Sequence, residues 1–193
     1  MIVPSIFYSS LLAKCYSIFY VNKFKNIYKE KNQNYYLLIP FTRYTDLSQI
    51  LALIWSSSIY IFKKKPSNAL TCATWVVLCN TTIGYWLFKK ELESQHLPDS
   101  DKLYYKIFNF IAHGGINILM YLRPSKYRYA FSDIIYPLIS SLFWLLFVMQ
   151  YYYITGDPVY PFLDKNVKII KKIKIILLLL TNSIIFCSMG ASK

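Results

Sequence analysis

A chain of 193 residues that is 55% hydrophobic, 19% aromatic and only 16% charged has room for one domain and is too apolar for an ordinary water-soluble one. Its net charge of +13 invites a nucleic-acid reading. The basic residues, however, sit in short runs between apolar stretches, where they meet anionic lipid headgroups, and no basic domain lies outside those stretches, so no nucleic-acid partner is expected.

A hydrocarbon core about 30 Å thick takes about 20 mostly apolar helical residues per crossing. Six stretches meet that pattern, at 4–22, 38–62, 69–88, 103–122, 131–153 and 169–190. The expected fold is therefore all-α, a polytopic membrane bundle of about six transmembrane helices forming a single domain over residues 1–193. The first stretch is the weakest, because Lys14 interrupts it; lacking a basic start and a small-residue cleavage site, it does not read as a signal peptide. The last begins with Lys171, Lys172 and Lys174, whose long stems can snorkel to the headgroups.

Polar groups within such stretches are costly and face the bundle interior or a wet cavity. In the second stretch Thr42, Thr45, Asp46 and Gln49 fall at i, i+3, i+4 and i+7, one helical face, and Arg43 precedes Asp46 at pairing distance. The third carries Asn80, Thr81 and Thr82, a glycosylation acceptor pattern that is inert inside a span. In the fourth, Lys106, Asn109, His113 and Asn117 form another face, followed by Gly114 and Gly115, small enough to admit a neighbouring helix. The fifth has a sparser stripe of Asp133, Pro137, Ser140 and Trp144.

The second and fourth stretches enter from the same side, the one bearing loop 154–168. Thr42 lies roughly 6 Å into its helix and His113 roughly 15 Å into its own, so the two can meet in the same half of the bilayer. A hydroxyl beside an imidazole is a candidate nucleophile and base, and Asp46 is placed to orient the imidazole as in a triad. The bland alternative is that all of these residues are interhelical hydrogen-bonding glue.

Four cysteines, Cys15, Cys72, Cys79 and Cys187, lie in apolar runs without a C-x-x-C, and with only two histidines no metal site is expected; they read as buried small hydrophobes. His96, in the loop "ELESQHLPDSDK", reads as a solvated loop residue.

Three stretches together carry a resemblance: "PFTRYTDLSQI", "IFNFIAH" and "ITGDPVYPFLD". The chain resembles the androgen-induced-protein and TFPI-regulating-protein-like family, multi-span membrane threonine hydrolases that cleave fatty acid esters of hydroxy fatty acids. The last stretch is the most specific, with Thr155, Gly156, Val159, Tyr160, Pro161, Phe162 and Leu163 all in place, and the resemblance covers about residues 35–190. It implies a hydrolase without cofactor, with Thr42 as nucleophile and His113 as base. Thr45 is a second candidate for the nucleophile, because the spacing from the Thr to the Asp-Leu pair differs by one residue here; Phe110 stands where the family has its first His.

Asp46, Gln49, Asn109, Asn117 and Tyr160 are the expected lining of the site, with the two asparagines as candidate oxyanion donors, and Tyr160 is either part of a loop that dips to the site or an interfacial anchor. The implied partners are membrane lipids, as substrate and as anionic headgroups, in the endoplasmic reticulum, another endomembrane or the plasma membrane. The competing readings are a small-solute or proton transporter, which needs a polar path across the whole bilayer, and a non-enzymatic scaffold, which needs a filled interior.

Overall fold

The structure, a computed structural model, describes residues 1–26, 33–93, 102–123, 129–156, 159–160, 164 and 166–191. It is an all-α bundle with no strand among the described residues. Helix α1 spans Ile2–Lys23. A 3₁₀ segment, Gln33–Leu38, leads into a single turn, α2 (Ile39–Thr42), and then α3 (Tyr44–Tyr60). Helix α4 (Asn68–Glu93) follows. Next come α5 (Leu103–Phe110), a π-helical turn at Ile111–Gly115 and α6 (Ile116–Tyr121). A 3₁₀ turn at Phe131–Ile134 opens α7 (Ile135–Thr155), and α8 (Ile169–Ala191) closes the chain.

Helix α4 is the central post, packed against α3, α6, α7 and α8. Its residues Thr71–Thr81 are buried without interruption, as expected of a helix surrounded by others. Helix α1 lies along α3 and presents Ile6, Ser10, Ala13, Lys14, Tyr20 and Val21, a stripe at helical spacing, to the interior. Lys14 therefore does not interrupt α1 as a span; it belongs to the helix's buried face. Of the four cysteines Cys72, Cys79 and Cys187 are buried as expected, whereas Cys15 is exposed on α1.

Among the described residues, three helical segments are long and apolar enough to cross a membrane: Ile2–Lys23, Phe131–Thr155 and Lys172–Ala191. Only 11% of the most apolar window of Phe131–Thr155 is buried, so Leu142, Phe143, Leu146 and Met149 face outward, an apolar surface suited to lipid. The other three expected stretches fall short of that measure for structural reasons. The second is broken at Arg43, leaving 17 residues in α3. The third, α4, carries Asn80 and several threonines because its neighbours are helices rather than lipid. The fourth is divided by the π turn.

Gly156 ends α7 at φ 72°, a left-handed conformation that glycine adopts without strain, and its N–H returns to the Tyr152 carbonyl at 2.8 Å. That reversal turns the chain back, so that Tyr160 reaches the start of α3.

Candidate functional site

The site is built where two helices depart from α geometry. At Arg43 the backbone is extended (φ −81°, ψ 146°), separating α2 from α3. A break inside a bundle frees backbone groups that must find other partners. Side chains from three elements supply them. The Asp46 carboxylate accepts the Arg43 N–H (3.2 Å), the Tyr160 hydroxyl accepts the Tyr44 N–H (2.8 Å), and Trp144 Nε1 donates to the Thr42 carbonyl (2.9 Å). Burial raises the Tyr160 phenol above its usual pKa, so it stays protonated. Loop 154–168 thus dips to the site at Tyr160, which also packs edge-on against Trp144. Pro161, Phe162 and Leu163, like His96, lie outside the described residues.

The second departure is the π turn Ile111–Gly115, with His113 at its centre. An extra residue per turn re-aims side chains, and such turns recur at functional sites. Gly114 and Gly115 do not admit a neighbouring helix as expected: a Cβ on either would touch only Phe110 of the same rod.

These departures bring together a hydroxyl and an imidazole. The hydroxyl is Thr45's, whose Oγ1 lies 3.3 Å from His113 Nδ1. Thr42 is fully buried, and its Oγ1 donates to the Ile39 carbonyl at 2.9 Å, one turn away from that contact. The His113 ring stacks on Tyr85 (3.9 Å between centroids, 15° between planes), and Asn109 Nδ2 donates to the Tyr85 hydroxyl at 2.5 Å. Asn109 is thus linked to the imidazole through Tyr85.

Asp46 is engaged elsewhere. Lys14 Nζ lies 2.9 Å from its Oδ1, Ser17 Oγ is 3.3 Å from the same oxygen, and Lys14 also donates to the Pro40 carbonyl. The arrangement is a Thr–His dyad, not the expected triad. The partner of Asp46's carboxylate is Lys14 of α1, while Arg43 contributes its backbone N–H. Asn117 is tied to α4, donating to Thr82 Oγ1 (3.2 Å) and accepting from Cys79 Sγ (3.5 Å), and it lines neither cavity at the site.

Thr45 and His113 stand in the wall between two cavities. One is mainly apolar and is lined in part by Gly84, Tyr85, Trp144, Ile175 and Leu179. The other is more polar and includes Ser17, Arg43, Asp46, Gln49 and Asn109. Both count Thr45 and His113 among their lining residues. Among the described residues no group of three His, Cys, Asp or Glu side chains could hold a metal ion.

Sequence reasoning did not assign Tyr85, Trp144 or Lys14 to the site. Trp144 carried a faint signal in its stripe with Pro137. Lys14 carried a stronger one, because an isolated lysine in an apolar helix calls for an anionic partner, and Asp46 was the acid within the neighbouring polar face.

No family model, curated protein or solved structure matches this chain.

Proposed function

We propose that this chain is an intramembrane hydrolase of lipid esters in which Thr45 is the nucleophile and His113 the base. The observation that carries the reading is the Thr45–His113 contact at the wall between a mainly apolar cavity and a more polar one. The six apolar stretches of the sequence serve as spans, and the membrane is an endomembrane or the plasma membrane. By its resemblance to the threonine hydrolases, the substrate class is the fatty acid esters of hydroxy fatty acids.

The acyl chain occupies the apolar cavity, which presents the ester carbonyl to Thr45. His113 Nδ1 takes the Thr45 proton, which requires the neutral ring to carry its hydrogen on Nε2. The alkoxide attacks the carbonyl carbon. The start of α3, opened by the break at Arg43, supplies a positive helix end, and the Thr45 N–H has no acceptor among the described residues. That N–H is the donor for the developing oxyanion. The protonated imidazole returns its proton to the leaving alcohol, and water then clears the acyl-threonine.

The test is labelling with a fluorophosphonate probe in detergent micelles. Labelling is expected for the wild type and for Thr42→Ala, and is expected to vanish in Thr45→Ala and His113→Ala. A well-folded wild type that takes no label turns the assignment toward a scaffold. Labelling lost in Thr42→Ala but kept in Thr45→Ala returns the nucleophile to Thr42.

A further inference from the structure

Hydrolysis through an acyl-threonine needs a second reactant, water, delivered to a carbonyl buried against apolar walls. The mainly apolar cavity offers the Asn80 Oδ1, but that amide's nitrogen is already committed to Ser183 Oγ. The polar cavity on the far side of the Thr45–His113 wall offers more, and one of its residues stands out. Gln49 is 3% exposed, lines that cavity, and lies one helical turn beyond Thr45 on the same face of α3. Its Oε1 is buried with no hydrogen-bond partner, and its amide makes no hydrogen bond among the described residues. A primary amide has two donor hydrogens and an acceptor oxygen with two lone pairs, and leaving such a group buried and unsatisfied is costly. Two other polar side chains facing this cavity are already engaged, Asp46 with Lys14 and Ser17 and Asn109 with Tyr85. Buried amides of this kind are satisfied by small polar guests, and water is the smallest.

We propose that the polar cavity is the water side of the site and that the Gln49 amide holds the water that hydrolyses acyl-Thr45. The inference rests on the hydrolase reading above and adds the division of labour between the two cavities. In the step, the water oxygen bonds to the acyl carbonyl carbon while His113 Nδ1 takes one water proton. The bond from that carbon to Thr45 Oγ1 then breaks, and the proton passes to Oγ1. A fatty acid leaves, and the threonine hydroxyl is restored. The acyl chain and the water thus reach the pair from opposite cavities, so a long hydrocarbon does not have to leave before water enters.

The experiment uses the full-length protein in detergent micelles with p-nitrophenyl octanoate as the probe. Three quantities are read: the p-nitrophenolate burst, steady-state turnover, and the octanoyl adduct on Thr45 by intact mass. Fluorophosphonate labelling reports whether the pair and its surroundings are intact. In Gln49→Leu, labelling and burst are expected at the wild-type rate. Turnover falls by at least about tenfold, and the octanoyl adduct accumulates, because only the step that needs oriented water is slowed. Turnover equal to wild type in Gln49→Leu overturns the water assignment and leaves the hydrolase reading standing. Labelling and burst lost along with turnover also overturn it, since Gln49 then serves the fold or the first step. A wild type that forms no Thr45 adduct with either reagent overturns the hydrolase reading and, with it, this inference.

Discussion

The two halves of the bundle are built on opposite plans, roughly 15 Å apart along α4, the rise from Trp75 to Tyr85. Around Tyr85 two helices are interrupted, two cavities meet at Thr45 and His113, and a buried amide lacks a partner. Around Trp75 the described residues are closely packed. Trp75 Nε1 donates to the Phe186 carbonyl at 2.9 Å, Arg123 sits over the Trp75 and Tyr129 rings, and its guanidinium reaches the Gly190 carbonyl at 3.4 Å. Cys72 and Cys187 complete the packing with their sulfurs 3.7 Å apart. The filled half fixes the helices relative to one another. The open half can then leave polar groups unsatisfied, because its geometry is held from outside. Helix breaks and vacant space are tolerable there for the same reason.

The sharpest way to break this contrast is at the pair itself. Thr45→Ala and His113→Ala are each expected to lower ester hydrolysis by at least about a thousandfold while leaving the thermal midpoint within a few degrees. A midpoint that falls with the activity would assign the pair to the structure rather than to the chemistry. Next comes the Lys14–Asp46 bridge, which ties the open half to α1. Lys14→Met leaves a buried carboxylate without its cation and is expected to cost about 3–5 kcal/mol of stability. The double variant Lys14→Met with Asp46→Leu recovers part of that loss in a thermal melt, because both charges then leave together.

In the filled half, Gly190→Ala is expected to cost about 1–3 kcal/mol, since a Cβ there would run into the Tyr129 hydroxyl and the Trp75 indole nitrogen. Turnover per folded molecule should stay at the wild-type value, and a loss of turnover would show that the two halves are coupled. The smallest effect is expected for Trp144→Phe, which removes the hydrogen bond to the Thr42 carbonyl at the helix break. About 1 kcal/mol should be lost in denaturation, with a modest drop in hydrolysis as the break loosens.

Much of the architecture was determined by the sequence alone. Apolar stretches of span length, separated by lysine-rich turns, leave a chain of this composition little choice but an all-α bundle, because every backbone group in a hydrocarbon must be bonded within its own helix. The polar faces of the second and fourth stretches were equally legible, since helical periodicity places Thr45, Asp46 and Gln49 together and Asn109 with His113. That logic assumes unbroken α geometry, and there its reach ended. The extended residue at Arg43 and the π turn around His113 each change the phase of a helix, and neither leaves a mark in the spacing of polar residues. Only the tertiary structure decided which hydroxyl meets the imidazole, because the answer depends on partners far away in the chain. Tyr160 and Trp144 hold the break open, Lys14 withdraws Asp46 from the imidazole, and Tyr85 sets the plane of the His113 ring. Local periodicity can state which residues share a face. The angular phase of that face, and so which hydroxyl meets the imidazole, is set by long-range contacts.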